Sequence, residues 1–419
     1  MSRPKGSLNK STLAKMHASK GGCNVVISKF EKQIQNSPIC KLNQQYNIIQ
    51  YGSDNLYPYK LIDLYNTSVT HKACCDFATN AICGNGIDWD ATSFKSDDIQ
   101  NPNYYMGWDE FIRAIAFDFC LYSAFAFQVI RNKDGKTYSF FPQPIETIRL
   151  EEMDSDGVIN NAYLCKDWSA PSKYPPVKIP MFGFQSDKEI PKGEAYLFYH
   201  KQYNPVNAYY GLPTYSSAIP AAQAEAQYMQ WDLKSITNGF CSAGALTLPG
   251  VETDSEREAI INNIQKMFTS ASNANSLLIS FRDNIEDKPI EWTPFVANAG
   301  NINLYDAANE RTINRILAGW KITSKALIGF PADSTGFSDS GAYMESAFAL
   351  YNINVANNNR QEILNVINQL FKMNMVDIEI VLKPLKYTVD DEQQIGTSNK
   401  PTGEAKNEDE VTEREDNTI

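Results

Sequence analysis

A stretch from Trp320 to Phe371 sets the strongest limit on how this chain can fold. Its loop, Ala326 to Gly341, carries three glycines and a proline, with Leu327, Ile328, Phe330 and Phe337 between them. Glycine and proline favour turns and backbone shapes closed to a helix. Beyond the loop, Tyr343, Ala347, Leu350, Tyr351, Ile363, Val366, Ile367 and Leu370 recur at three- and four-residue spacing, the mark of one apolar helix face. The middle of that helix, Asn352-Ile-Asn-Val-Ala-Asn-Asn-Asn359, is a poor helix former, because asparagine side chains compete for backbone hydrogen bonds. The pattern predicts a helix end, an aromatic loop and a long helix with a soft or bent centre. Such a unit suits a lever or a constriction better than a catalytic site.

The net charge of −11 is unevenly spread. Residues 1–20 carry Arg3, Lys5, Lys10, Lys15 and Lys20 and no acid, whereas Asp390 to Ile419 hold ten acids against three bases. Residues 1–50 therefore read as a basic flexible arm and 388–419 as an acidic disordered tail. Arg3-Pro-Lys-Gly6 with Lys10 is similar to short basic peptides that lie in A·T-rich minor grooves, and a solvated tail fits the same residues. The body between the ends holds 30 bases against 39 acids, a net −9, which argues against a cationic nucleic-acid groove. No run of about 18 apolar residues and no apolar leader occurs, so neither a membrane span nor secretion is expected. The eight cysteines are scattered without a Cys-x-x-Cys pair, as expected of free thiols that pack as small hydrophobes.

Order is expected from Tyr51 onward. Helices are predicted over 58–66 and 68–83, the second stopped by Gly84-Asn-Gly86. Trp108, Phe111, Ile112, Ile115, Phe119 and Tyr122 share one face of a third helix. A hairpin follows, with strands 125–130 and 137–141 around Asn132-Lys-Asp-Gly135. Short strands are predicted at 147–150, 158–164 and 195–199. From Thr214 to Gly239 runs an alanine-rich helix with Pro220 inside it, where proline should end or kink the first turns. Its small residues Ala222 and Ala226, with Trp231 beyond, suit either crowded packing on a twin subunit or an ordinary core. Strands 243–248, 277–281 and 290–293 and a helix 256–268 make a compact insertion, followed by a helix over 301–321. A last strand, 376–382, alternates polar and apolar residues. The fold class is α+β.

Chemistry is sparse. The three histidines, His17, His71 and His200, form no cluster, and no phosphate loop, nucleophile elbow or zinc motif occurs. Asp97-Asp98, Asp109-Glu110 and Glu151-Glu152 read as solvated faces. No catalytic, metal or cofactor residue is predicted, and an architectural role is favoured over an enzyme.

The order of these elements resembles that of the portal proteins of tailed bacteriophages, over roughly residues 51–387. Tyr51-Gly-Ser-Asp-Asn-Leu-Tyr-Pro58, Asp63 to His71 and Gly84-Asn-Gly-Ile87 resemble the start of that family's wing domain. Phe117 to Phe127 is similar to its helix-to-strand step, with Ser123 and Ala124 where a Gly-Asn pair is common. Tyr210-Gly-Leu-Pro213 resembles the entry into a stem helix, and Ile322 to Phe330 the turn after the second one.

The resemblance implies a ring, usually of twelve subunits, at one capsid vertex of the virion, assembled in the host cytoplasm. It implies a wing at 51–213, stem helices at 214–239 and 299–325 and a clip at 240–298. It further implies a tunnel loop at 326–341 and a long wing helix with a final strand at 342–387. Lys321, Lys325, Phe330, Ser334, Phe337 and Ser338 would then face a DNA channel. Ala222, Ala226 and Trp231 would pack the stem. The partners implied are double-stranded DNA, the terminase large subunit, a head-tail adaptor, the major capsid protein and a scaffold, without membrane or cofactor. Other readings stay open: a structural virion protein that binds DNA through Arg3, Lys5 and Lys10, or an enzyme with a site near His71 or His200 in the 51–205 domain. A different virion component is a further alternative, although head-tail adaptors are usually much smaller.

Overall fold

The computed structural model describes residues 38, 40–92, 94–95, 99–184, 189–237, 244–248, 255–256, 258–260, 277–281, 291–294, 299–330 and 341–385. The chain is an α+β protein. Its first described elements, β1 (Leu42–Asn43) and β2 (Ile48–Ile49), pair antiparallel. Ile48 and Ile49 are buried, so the packed body already includes residues ahead of 51. That corrects the boundary of the expected arm: two adjacent isoleucines are worth burying even in a polar setting.

Helix α1 (Tyr57–Thr67) carries Pro58 in its first turn, where a missing N–H costs nothing. Ser68 then caps α2 (Val69–Cys83), its hydroxyl accepting the His71 N–H. Gly84 closes α2 at φ +59, and a Cβ there would sit 2.1 Å from the Lys383 carbonyl oxygen. Helix α3 (Trp108–Tyr122) buries the six side chains that share its predicted face. It ends on Ser123 in the left-handed region, φ 52, a position that glycine or asparagine fills most easily.

Next come β3 (Ala124–Arg131) and β4 (Tyr138–Pro142), joined through Asn132–Gly135, then β5 (Ile148–Leu150), β6 (Asn161–Leu164), β7 (Val177–Pro180) and β8 (Ala195–Lys201). One antiparallel sheet has the order β4-β3-β8 and another β5-β6-β7. The open edge of β4 is closed locally. The Asn374 side chain bonds both the N–H and the C=O of Tyr138, while Phe140 bonds Pro102 and Asn103.

Two long helices leave this body as a stalk. Helix α4 (Ile219–Thr237) begins after a 3-10 turn at Ser216–Ala218, so Pro220 falls in its first turn and neither ends nor kinks it. The helix expected from Thr214 therefore starts five residues later. Helix α5 (Ala299–Gly319) packs antiparallel to it, Gly319 meeting Ala218 so closely that a Cβ on Gly319 would lie 2.4 Å from the Ala218 Cβ. Between them, β9 (Gly244–Leu248) pairs parallel with β10 (Leu277–Phe281) and antiparallel with β11 (Glu291–Pro294). A parallel pair needs a crossover, and the helix predicted over 256–268 lies largely outside the described residues.

The long helix is two α-helices, α6 (Gly341–Tyr351) and α7 (Asn357–Met373), joined by a π-helical turn at Asn352–Ala356. The soft centre falls on the asparagine run. The predicted strand 376–382 does not form. Ile378, Ile380 and Leu382 are buried in alternation, but the segment joins no sheet and makes only an isolated bridge between Leu382 and Ile87. Its backbone bonds to single groups instead, including the Asn368 side chain. Alternation reports one buried face, and an extended strap on the body satisfies it as well as a strand does.

Candidate functional site: the root of the stalk

The stalk is fixed to the body by polar groups buried among aromatic rings. Ala222 and Ala226 lie on one face of α4 with Glu225, and all three are buried. These small neighbours let the N-terminus of α2 come within reach of the carboxylate. The hydroxyls of Ser68 and Thr70 donate to Glu225, as does the Thr70 N–H at 3.2 Å. An anion on a helix N-terminus is favoured both by the free amides and by the helix dipole. One turn on, the Trp320 indole N–H donates to His71 Nδ1 at 3.1 Å, and the Tyr215 ring stacks on Trp320 with centroids 4.5 Å apart. Segments from α2, α4 and the end of α5 thus meet in one buried joint.

His71 is 1% exposed, and burial pushes its imidazole down to about 3. Its folded pKa lies below the unfolded value of about 6.5. Between those limits the unfolded chain binds the extra proton, so this site withdraws stability as pH falls, by up to about 1.4 kcal/mol per unit. Asp118 and Glu146 act in the opposite sense, because desolvation holds both carboxyls above their usual range. His71→Gln, which keeps an acceptor for Trp320, should therefore flatten the acid-side loss relative to the native chain. Urea midpoints at pH 7, 5.5 and 4.5 check this.

A second knot holds the body beneath. Arg149 on β5 is 0% exposed. Its guanidinium donates to the Asn55 side-chain and main-chain oxygens, both at 2.6 Å, and to the carbonyls of Glu146 and Ile148. It also lies over the Trp168 ring at 5.1 Å, beside Tyr51, which stacks on Tyr210 at 4.1 Å.

The structure separates the residues singled out from sequence. Lys321 is exposed and left-handed at φ 58, with the Lys321 N–H bonding Ala318 and the Ile322 N–H bonding Leu317, so it terminates α5 at a position that usually takes glycine. Lys325 is ion-paired to Glu310. Phe330 is half-buried, and Trp231 is 56% exposed. Ala222 and Ala226 are buried within the chain itself, at 1% and 9% exposure. Arg3, Lys5, Lys10, Ser334, Phe337 and Ser338 lie outside the described residues, as do the acidic tail, Cys23 and Cys241. The remaining six cysteines are free thiols.

Sequence reasoning passed over Glu225 and Arg149. The usable signal was one acid, Glu225, on the alanine face of a helix, and one base, Arg149, inside an apolar strand.

His71 is buried at the joint. His200 pairs with Glu362 at 3.1 Å beside a cavity of about 490 Å³ lined also by Phe184, Phe198, Asn365 and Gln369. Among the described residues there is no metal-binding cluster and no helix long and apolar enough to cross a membrane.

No family model matches the chain, and no curated protein matches it. Among solved structures it is similar to a chain from the virion of a native gene transfer agent (GTA) particle, at 15% identity and a TM-score of 0.49, over 81% of this chain and 84% of that one. A chain from the neck of the native GTA particle computed with C12 symmetry gives 16% and 0.49, over 78% and 84%. A chain from the neck of the empty GTA particle computed with C6 symmetry gives 16% and 0.49, over 81% and 86%. A likeness of this degree assigns no function.

Proposed function

We propose that the chain is a portal subunit, a non-enzymatic protein that forms a ring at one capsid vertex through which double-stranded DNA is packaged and ejected. The observation that carries this reading is the architecture itself. An α+β body sends out two antiparallel helices joined by a small sheet, and the chain returns through an aromatic loop to a long helix on the body. In portal terms the body is the wing, α4 and α5 the stem, the β9–β11 sheet the clip and residues 326–341 the tunnel loop. The clip would dock the terminase large subunit and later the head-tail adaptor, and the wing would meet the capsid protein and scaffold.

Three physical features support it. Trp231, Met229 and Leu233 on the outer half of α4 are 45–65% exposed, and Leu350 and Ile353 on the long helix are 47% and 66% exposed, apolar surface that a neighbouring subunit can cover. The buried joint at Glu225, His71 and Trp320 fixes the stem rigidly to the wing, as a channel that transmits force requires. A net-acidic body avoids the tight, salt-dependent phosphate contacts that would stop DNA from sliding. Lys321 and Phe330 are the proposed channel-facing groups at the start of the loop. Lys325 contributes less, because Glu310 neutralises it.

Deleting Ser334–Ser340 should leave rings intact while DNA packaging or retention falls. Packaging assays beside electron micrographs of the same preparation check this, and unassembled protein would instead give the loop a structural role.

A further inference from the structure

Five described residues other than glycine lie in the left-handed region of the backbone. Two of them, Asn47 and Asn55, are asparagines, which tolerate it. Two of the other three, Ser123 at φ 52 and Lys321 at φ 58, line one crevice of about 150 Å³. The crevice lies between the α3–β3 junction, the end of α5 and the long helix. The π-turn at Asn352–Ala356 contributes Asn354 to its third side, and Asn358 and Asn359 follow on α7. Strained residues and π-turns both gather at binding sites, where a side chain is used at a position that regular backbone would not give it.

The crevice has a buried floor and a polar rim. Ser123, Trp320 and Tyr351 on the floor are 2–5% exposed. The Ser123 hydroxyl accepts the Thr214 N–H, so its own proton is free to donate. The Tyr351 hydroxyl is buried without a partner among the described residues, an atom that calls for a ligand or a water. On the rim, Lys321, Asn354 and Asn358 are exposed and Gln202 and Asn359 half-buried, and none of these side chains bonds another described group. The amide row is held in place from behind, where Arg360 bonds the carbonyls of Ala81 and Ile82.

Lys321 is the one charged residue among those that line the crevice, and no carboxylate lines it, in a chain of net charge −11. One ammonium, four amide NH₂ groups and the hydroxyls of Ser123 and Tyr351 surround the space. That set can donate to several oxygens of an anion and offers a cation no countercharge. The end of α5 does not oppose an anion strongly, because the carbonyls of Ile316, Leu317 and Ala318 already accept the N–H groups of Trp320, Ile322 and Lys321. We propose that this crevice binds a free oxyanion of phosphate size. Lys321 supplies the charge, and Ser123, Asn354 and Asn358 donate to its oxygens. The buried floor suits a free ion better than a phosphate of a duplex backbone, whose neighbouring sugars would strike the rim. The site stands whether or not the chain forms a ring.

Thermal unfolding of the full chain in inorganic phosphate, against sodium chloride at equal ionic strength, tests it. Phosphate should raise Tm along a saturating curve, as binding to the folded state requires, and chloride should not. Lys321→Gly relieves the left-handed residue, so without phosphate it should unfold no earlier than the native chain, yet bind phosphate at least about tenfold more weakly. Asn358→Leu should also weaken binding about tenfold. In the native chain, a rise no larger than that in chloride overturns the proposal, and so does one that stays linear in phosphate, as exclusion of the salt from the surface gives. That comparison needs no variant. Equal phosphate affinity in the native chain and Lys321→Gly also overturns it. Displacement of phosphate by a short DNA duplex would overturn the free-ion assignment and give the site to a nucleic-acid backbone.

Discussion

Arg149→Ala is expected to lower stability by about 4 kcal/mol or more, the largest effect of any single substitution considered. The side chain is completely buried, and its guanidinium supplies the donors for Asn55 Oδ1, Asn55 O and the carbonyls of Glu146 and Ile148. Truncation removes those donors together and leaves a cavity between β5, Trp168 and Tyr51. Each buried acceptor that loses its partner costs about 1–3 kcal/mol, and the lost packing adds to that. Arg149→Lys keeps the charge but not the planar fork, and should recover less than half of the loss. Thermal and urea unfolding of the three proteins give the comparison. A loss under about 1 kcal/mol for the alanine variant would mean that water reaches the site and satisfies the orphaned carbonyls.

Glu225→Ala should cost about 3 kcal/mol. It strips the acceptor from two hydroxyls and one N–H at the start of α2, all buried. It also removes a carboxylate from a helix N-terminus. Glu225→Gln retains one carbonyl oxygen and turns an NH₂ toward donors, so its cost should fall between native and alanine. The two variants separate a charge effect from a packing effect: equal losses would place the whole contribution in the charge. Because the joint links stem to wing in the proposed reading, both variants should also weaken ring assembly more than they weaken the isolated body.

Much of this fold was legible in local pattern. The span of α2, the apolar faces of α3 and α7, the Asn132–Gly135 turn and the soft centre of the long helix all follow from spacing and turn chemistry. What escaped depends on distant partners. Arg149 sits between isoleucine and leucine, and its main acceptor, Asn55, is 94 positions away. Glu225 looks like any solvated acid in an alanine-rich helix until α2 is placed against it. The strap at 376–382 shows the same limit from the other side: its alternation is real, but strand formation requires a neighbouring strand edge, and none is present there among the described residues. Pro220 misled for a different reason. Its effect depends on whether it lies inside a helix or in its first turn, and the 3-10 turn at Ser216–Ala218 sets that.

The candidate site was less legible than the fold. Lys321 and Lys325 were chosen for their place beside the loop, and each has a local duty in the chain, one as a helix terminator and one as a partner of Glu310. Ala222 and Ala226 were chosen for small size, which serves the buried carboxylate between them.

The measurement that bears most directly on the proposed ring is native mass spectrometry of the full chain at two salt concentrations, with negative-stain images of the same sample. A closed ring of about twelve copies around a central hole, persisting without nucleotide, is the expected result. A chain that stays monomeric at both salt concentrations, and with capsid protein and scaffold added, would contradict it.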